Sequence, residues 1–454
     1  MVRIGAWASW DWGSAAFNAV VTTFVFTAWL TSSAFVAPGS DIEATKALHS
    51  QWLGWGVALA GVLVALTAPA LGAVADASGR RRPMLATTSS VIGLTVLALW
   101  FVRPGNASTA VLLGVTLLAV GTVAFEVGSV AYNALLVTIT TPRTIGRISG
   151  LGWGSGYVGG IVLLLALYVG LINGPEDGAH AGLANVATAD GLNYRVAMVV
   201  AGVWFIMFAL PVLFLVPDEV RADQTKPARL GMADAYRTVW ADLVRLWRAD
   251  RTTVKFLVAS AVFRDGLTGV FTFGGVLAAG TFGFTGGQVI VFGIAANIIA
   301  GIATISVGWL DDRVGPRRVI TWSLVVLVVA GAAVFVFRDA GAPAFWVFGL
   351  ILSSCVGPAQ SASRALLARL SPKGHETEMF GLYATTGRAA TFMAPAAFAT
   401  CIWASGKITG HEAQYWGILG IVAVLVAGLA LFVPLRFPRG LGADGREDLA
   451  APAA

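Results

Sequence analysis

Two short stretches of the chain decide its fold, because they repeat one pattern. Residues 72–82 read GAVADASGRRR, and residues 308–318 read GWLDDRVGPRR. In both, the order of glycine, aspartate, glycine and a basic pair keeps the same spacing, and the copies lie 236 residues apart. Each copy follows an apolar segment long enough to cross a bilayer. The chain is therefore predicted to contain two halves of similar fold.

The composition excludes several classes of protein. Of the 454 residues, 57% are hydrophobic, 54 more are glycine, and only 12% are charged. A soluble domain has about 25% charged residues, so this chain has too little charge to cover a water-exposed surface. A soluble enzyme, a disordered chain and a nucleic-acid binder are excluded on this ground. The two cysteines, Cys355 and Cys401, and four scattered histidines predict neither a disulfide framework nor a metal site, and no cofactor is expected.

Apolar segments of about 20 residues predict an all-α membrane protein with twelve transmembrane helices. Alternating ten-residue strands, which a membrane barrel would need, are not found in the sequence. The predicted spans are 14–36, 51–74, 84–103, 108–139, 147–172, 194–216, 254–280, 285–310, 317–337, 342–370, 378–406 and 412–436.

The lysines and arginines predict the orientation of these spans. If the N-terminus is cytoplasmic, 23 of the 30 basic residues fall in cytoplasmic segments and 5 in external ones, while Arg264 and Arg388 lie within spans. Both termini are therefore expected in the cytoplasm. The net charge of +6 then reflects membrane topology and contact with anionic lipids of the inner leaflet rather than a nucleic-acid surface.

The spans divide the chain into four parts. Residues 1–216 and 254–436 are predicted to form two pseudo-symmetric six-helix bundles, 217–253 a cytoplasmic linker, and 437–454 a cytoplasmic tail. Within the linker, apolar residues recur at helical spacing from Leu230 to Arg248. This segment either lies flat on the inner membrane surface or packs on the bundle as a spacer.

The duplicated motif resembles the short-loop signature of the major facilitator superfamily. Further stretches resemble its vacuole-effluxer branch: WDWGSAAF at 10–17, YNALL at 132–136, ISGLGWGSGYVGG at 148–160, GPAQSASR at 357–364, FGLY at 380–383 and GR at 387–388. The resemblance implies a two-bundle transporter, and the fungal members of the branch export amino acids from the vacuole. Trp10, Gly13 and Ser14 depart from the tyrosine, alanine and asparagine usual in the branch, which puts the substrate in doubt.

The duplicated motif also predicts a gate on the cytoplasmic side. Its glycines allow helices to approach, its aspartates suit a helix N-terminus, and its arginines stay at the anionic surface, so the cluster can latch the two halves together. The alternative is a tight turn whose arginines only set topology. The gate residues are Gly72, Asp76, Gly79, Arg80, Arg81, Gly308, Asp312, Arg313, Gly315 and Arg317.

Charged residues within spans are costly and indicate function or pairing. Glu126, Arg264, Asp265 and Arg388 lie inside predicted spans, and Asp11 is placed at the inner mouth of the first. The resemblance implies that spans 1, 4, 7 and 10 line the central cavity. We expect Arg264 to pair with Glu126 across the halves and Asp265 to carry a coupling proton, a role that suits a carboxyl group in a partly dry cavity. The alternative is a static ion pair that locks the bundle.

Aromatic and amide side chains are candidates for the substrate cavity, since such groups suit a small zwitterionic or amphipathic solute. Each could instead make a hydrogen bond between helices, and Arg364 could anchor at the inner surface. The candidates are Asn18, Tyr132, Asn133, Trp153, Tyr157, Asn297, Gln360, Arg364 and Tyr383.

These features predict a monomeric secondary transporter in a bacterial plasma membrane. It would move an amino acid or a similar small organic solute by alternating access, with protons as the expected coupling ion. The sequence has no nucleotide-binding motif, so transport is expected to be passive or driven by ions. The alternatives are a transport-inactive receptor or scaffold of the same fold, an exporter of a drug-like metabolite, and an intramembrane enzyme, which would need a catalytic cluster that the sequence does not show.

Overall fold

A computed structural model describes residues 2–78, 81–104, 107–139, 145–174, 178–216, parts of 237–248, 250–370 and 376–437. Within these ranges, the side chains of residues 68–78, 107, 134, 136–138, 145–151, 153, 305, 308–313, 368, 376–378 and 380 are outside the description.

Among the described residues, twelve helical segments are long and apolar enough to cross a membrane, which confirms the predicted fold class. They are numbered here as spans 1 to 12 in chain order. Their bounds are Val2–Leu30, Ile42–Thr67, Arg81–Phe101, Ser108–Asn133, Gly154–Ile172, Ala189–Leu215, Arg251–Gly280, Gly286–Thr304, Pro316–Val336, Ala342–Leu367, Gly381–Thr409 and Gln414–Phe432.

Successive spans alternate in direction, so the connections gather at two ends. We call the end that holds residues 2 and 437 the terminal end, and the opposite one the distal end. At the distal end, the connection between spans 5 and 6 forms a small antiparallel pair of strands, His180–Ala181 and Val186–Ala187. At the terminal end, Gly315 has a positive φ of 83°, and Pro316 begins the next helix, a turn that suits glycine followed by proline.

Span 1 begins 12 residues earlier than the sequence predicted. Its α-helix Val2–Ala15 passes into a π-helical segment, Ala16–Phe24, and then a short helix, Phe26–Leu30. The prediction failed because Ser9, Asp11 and Ser14 lower the local hydropathy. These residues are enclosed by protein rather than lipid, since 83% of the apolar window of this span is buried.

Spans 1 and 7 form the centre of the molecule. They are the two most enclosed of the described spans, with 83% and 72% of their windows buried. The π-helical segment packs against span 7 at Gly275, where a Cβ atom would overlap the carbonyl oxygen of Thr23. Glycine at this position is what lets the two backbones touch.

We call spans 1 to 6 the first half and spans 7 to 12 the second half. The two halves also meet where span 2 packs on span 11 and where span 5 packs on span 8. On the first of these surfaces, a Cβ at Gly54 would lie 2.9 Å from the Cβ of Ala399, and one at Gly61 would lie 2.8 Å from the backbone nitrogen of Phe392. Small residues therefore bring spans 2 and 11 into backbone contact.

Span 10 is a continuous helix, Ala342–Leu370, despite its glycine and proline. Span 11 is broken. Its first half-helix is Glu376–Ala390 and its second is Met393–Thr409. Pro395 explains the break, because it has no N–H group to donate to the carbonyl of Thr391 four residues earlier, and proline is tolerated in the first turn of a helix. Thr391 instead turns back, donating from its backbone N–H and its hydroxyl to the carbonyl of Arg388.

Candidate functional site

An ion pair joins the two halves near the break in span 11. The Nε atom of Arg388 lies 3.4 Å from Oε2 of Glu126 on span 4. Nη2 of Arg388 donates a 2.8 Å hydrogen bond to the hydroxyl of Ser129, one turn further along span 4. The side chains are 16% and 33% exposed, respectively. Arg388 also sits at the C-terminal end of its half-helix, where the helix dipole favours a cation.

The predicted partner of Glu126 was therefore wrong, since Arg388 and not Arg264 pairs with it. Arg264 is fixed within its own half. Its guanidinium carbon lies 3.9 Å from the centre of the Tyr383 ring, and its Nη1 donates to the Tyr383 carbonyl at 3.2 Å. The Tyr383 hydroxyl is 2.7 Å from that of Ser363. An aromatic ring and a backbone carbonyl thus hold Arg264, which leaves Glu126 to the arginine that projects from the break.

Three arginines and one glutamate form what we call the central cluster: Arg264, Arg364, Arg388 and Glu126. Arg264 lies within electrostatic range of the other three. Arg364 also interacts electrostatically with Tyr157 on span 5, so residues from both halves meet here. Tyr157 is 40% exposed.

Asp265 does not join the central cluster. Its side chain is 5% exposed, and its Oδ2 accepts a 2.5 Å hydrogen bond from the backbone N–H of Ala394, in the first turn of the second half-helix of span 11. It therefore satisfies an N–H group that would otherwise be unpaired at the break. Because Asp265 follows Arg264 directly, the two side chains point about 100° apart on the helix, and they reach different partners.

Asp11 and Tyr132 form a second polar contact, inside the first half. Oδ2 of Asp11 accepts a 2.9 Å hydrogen bond from the Tyr132 hydroxyl. The Tyr132 ring stacks between those of Trp7 and Trp10, with centroid distances of 4.6 and 4.4 Å. All three rings are at most 2% exposed. Asp11 thus lies within span 1, not at its mouth, and Tyr132 is enclosed by packed rings rather than facing an open cavity.

The remaining cavity candidates do not converge on one site. Asn18 and Asn133 are exposed, and Gln360 is half-buried. Asn297 donates to the carbonyl of Gly293 in its own helix, at 2.8 Å. The side chain of Trp153 lies outside the described residues.

The described residues enclose an apolar cavity of about 20 Å³ between the halves, room for about one water molecule. Phe24, from the π-helical segment of span 1, forms one wall, and residues of spans 7, 8, 10 and 12 form the others. None of the predicted site residues lines it, and Ser353 supplies the one polar side chain of the lining.

A polar network that sequence analysis missed closes the distal end. Nε2 of Gln414 donates to the Ser50 hydroxyl at 2.5 Å, and its Oε1 accepts from the Thr281 hydroxyl at 3.0 Å. Beside it, Nε2 of Gln51 donates to Glu412 at 3.1 Å. We call these five residues the distal network. Polar residues at span ends are ordinary, so no sequence signal marked them as bridging the halves.

The gate motif is described only in part. Gly79 and Arg80 lie outside the described residues, as do the side chains of Asp76, Asp312 and Arg313. Gly72 and Gly308 are described by their backbone conformation alone. Arg317 donates to the carbonyl of Val433 at the end of span 12, and Arg82 donates to that of Leu213 at the end of span 6. In each half, a basic residue at the start of the third span thus caps the C-terminus of the sixth, and the predicted latch between halves remains a prediction.

No group of three or more histidine, cysteine, aspartate or glutamate side chains suited to a metal ion is found in the described part of the chain.

Sequence comparison identifies the family. The sequence profile of the family described as "Vacuole effluxer Atg22 like" matches residues 137–441. The chain belongs to this family. An uncharacterized MFS-type transporter of Bacillus subtilis, YxiO, is 23% identical over 436 residues, which cover 94% of both chains. Autophagy-related protein 22 of Yarrowia lipolytica is 23% identical over 70% of this chain, and that of Cryptococcus neoformans is 26% identical over 65%. The chain spans about half the length of these two fungal members, 55% and 54%.

Solved structures show the same fold in more distant proteins. A point mutant of the nucleoside transporter NupG aligns with a TM-score of 0.64 at 13% identity, over 96% of this chain and 100% of that one. The inward open xylose transporter XylE of E. coli gives 0.64 at 13% identity, over 97% of both chains. A bacterial homologue of the human lysosomal transporter Spinster gives 0.63 at 14%, over 96% and 98%. The effluxer family therefore has the major facilitator fold, and the relatives and structural neighbours are transporters rather than enzymes.

Proposed function

We propose that this MFS-type membrane transporter moves a small organic solute, an amino acid or a similar molecule, by alternating access and coupled to protons. The observation that carries the proposal is the ion pair between Glu126 and Arg388, 3.4 Å apart, one from each half. Charges this deep in a bilayer are retained when they pair or act in transport, and this pair must change whenever the halves move apart.

Alternating access requires one end to open while the other closes. Here the distal network holds the halves together at one end, with Gln414 bonded to Ser50 across the interface. The central cluster lies between the halves, where a substrate would bind. Glu126 supplies the carboxyl group of the central cluster. It faces the other half and is one third exposed, so we assign to it the coupling proton that sequence analysis assigned to Asp265.

The test is uptake into liposomes that contain the purified protein. Labelled amino acids are offered with an imposed pH gradient, with the gradient collapsed by an ionophore, and with protein-free liposomes as a blank. We expect accumulation of one or more amino acids that depends on the gradient and falls at least about tenfold in Arg388→Gln, which removes a charge-assisted contact. Failure of every amino acid and similar solute to accumulate in the wild type would reject this substrate class.

We also propose that the terminal end faces the cytoplasm of a bacterium and that the protein works as a monomer in the plasma membrane. The distribution of arginine and lysine supports this orientation. Single cysteines at Arg245, near the terminal end, and Asp339, at the distal end, can be treated in whole cells with an impermeant thiol reagent after Cys355 and Cys401 are replaced by serine. We expect labelling at 339 only, and the reverse pattern would overturn the orientation.

A further inference from the structure

We propose that the central cluster is a binding site for the carboxylate of the substrate, and that Glu126 competes with this carboxylate for Arg388. The inference rests on the proposed transport function and adds the chemical class of the substrate, an organic acid or zwitterion, and the order of events at the site. Sequence analysis named Arg364 as a cavity candidate and Arg388 as a charged residue within a span, but it did not place Glu126 beside them.

The first argument is charge. Among the described side chains, three guanidinium groups share the centre of the molecule with one carboxylate, and Arg264 lies within electrostatic range of all the others. Asp265, the acidic residue of span 7, points away from the cluster and accepts a hydrogen bond from the backbone of Ala394. Asp11 bonds to Tyr132 inside the first half. An excess of positive charge in a region of low dielectric favours a further anion.

The second argument is the geometry of Arg388. Its Nε atom is buried and has no hydrogen-bond acceptor, although Oε2 of Glu126 is 3.4 Å away. The guanidinium group is held at one corner by Ser129. A fork of donors that is only partly used can take a carboxylate in the bidentate arrangement that arginine prefers. Glu126 is thus close enough to neutralise Arg388 but does not satisfy it.

The exchange follows from these contacts. When Glu126 is ionised, it occupies Arg388. When a proton from the aqueous phase binds the Glu126 carboxylate, the ion pair is lost and Arg388 can bind the incoming carboxylate. One proton and one substrate carboxylate enter together. The net charge of the site is unchanged when the substrate is a monoanion, and it rises by one when the substrate is a zwitterion. Of the described charged groups, Arg388 pairs with Glu126 and Arg264 lies within electrostatic range of it.

The experiment measures binding by the purified full-length protein, using thermal shift with matched pairs of an acid and its amide. The pairs are L-phenylalanine and L-phenylalaninamide, benzoate and benzamide, and succinate and succinamide. We expect the acid of one or more pairs to raise the melting temperature and its amide to have no effect, since a ligand that binds the native state stabilises it.

Variants test the competition for Arg388. In Glu126→Gln the affinity for the acid should rise about tenfold, the scale of one charge-assisted contact, because the competing carboxylate is gone. Arg388→Gln should lose the preference for the acid. If Arg388→Gln does not fold, Arg388→Lys replaces it, because lysine keeps the charge but lacks the forked pair of donors. Glu43→Gln, at an exposed acid of the distal end, should behave as the wild type.

The outcomes are decisive in both directions. Equal stabilisation by an acid and its amide, stabilisation by none of the six compounds, or an affinity for the acid that does not rise in Glu126→Gln would overturn the inference. Binding that follows the expected pattern without flux in liposomes would overturn the transport proposal and leave the carboxylate site standing. Flux of amides equal to that of acids would overturn the carboxylate site and leave the transport proposal standing.

Discussion

At the scale of single residues, the charges inside the membrane have separate tasks. Glu126 and Arg388 face each other across the halves, Arg264 is held on the ring of Tyr383, and Asp265 bonds to the backbone at a helix break. Side-chain type gave no means of separating these roles, because each is a charge in an apolar segment. Direction along the helix and the position of neighbouring backbone decide which role each one takes.

Tyr132→Phe is expected to destabilise the protein. The hydroxyl donates to the Asp11 carboxylate, and its removal leaves that oxygen without its donor in a half-buried place, a loss of roughly 1.5–3 kcal/mol. Unfolding of the detergent-solubilised protein measures the effect. Tyr415→Phe is the control, since its hydroxyl bonds to none of the described residues, and it should change stability by less than about 0.5 kcal/mol. Equal stability of the two variants would contradict the assignment.

Substitution of Asp265 distinguishes a helix cap from a proton carrier. Asp265→Asn keeps an oxygen that can accept from Ala394, so most of the stability and the pH dependence of transport should remain. Asp265→Leu leaves the buried N–H group unpaired and should cost roughly 1–3 kcal/mol in unfolding free energy. If Asp265→Asn instead removes the pH dependence of uptake, then Asp265 carries the proton, as the sequence first suggested.

At the scale of elements, the break in span 11 organises the site. Pro395 interrupts the hydrogen bonding, Asp265 satisfies the start of the second half-helix, and Arg388 projects from the end of the first. Gly61 of span 2 packs directly on the break, and the hydroxyl of Thr391 also reaches the Gly61 carbonyl at 3.4 Å. The break is thus shared by both halves, and a change in its packing should alter how they meet.

Gly61→Ala is expected to weaken the packing of the halves. The new Cβ would lie 2.8 Å from the backbone nitrogen of Phe392, and backbone cannot move aside as a side chain can, so a cost of roughly 1–3 kcal/mol is expected. Gly301→Ala is the matched control, because no atom lies within 4 Å of its Cβ. It should be neutral or stabilising by up to about 1 kcal/mol, since alanine favours a helix. Melting temperatures that shift equally in both variants would refute the close approach.

At the scale of the whole molecule, two inter-half contacts of different kind set the conformation. In the distal network, Gln414, which is 3% exposed, donates to Ser50 across the halves, and Gln51 donates across them to the carboxyl group of Glu412. The central cluster joins them by charge. We therefore expect a charged substrate to act on the central cluster and the distal network to set how readily the distal end opens.

Gln414→Leu should raise the population in which the distal end is open. It removes one hydrogen bond between the halves, to Ser50, and one within the second half, to Thr281. The bond across the halves contributes about 1 kcal/mol, so the balance should shift by roughly fivefold. Spin labels at exposed Ile42 and Ile408, on spans 2 and 11, report the separation of the halves after both native cysteines are replaced.

The control is Gln288→Leu at the same end, because its side-chain oxygen accepts only from Thr285 in its own turn. Its distance distribution should match that of the parent. An unchanged distribution in Gln414→Leu would show that the distal network does not hold this end closed.

The sequence by itself determined the membrane class, the twelve helices, the duplication and the family, because these follow from hydropathy and local motifs. A sufficiently long apolar segment forms a span whatever surrounds it. The predicted start of span 1 was wrong because Asp11 and its polar neighbours lower the hydropathy there, although they are enclosed by protein. The pairing of Glu126 with Arg388, the capping role of Asp265 and the distal network were decided by tertiary structure. They depend on which helix faces which, and that arrangement is fixed by glycine contacts and a proline break between segments far apart in the chain.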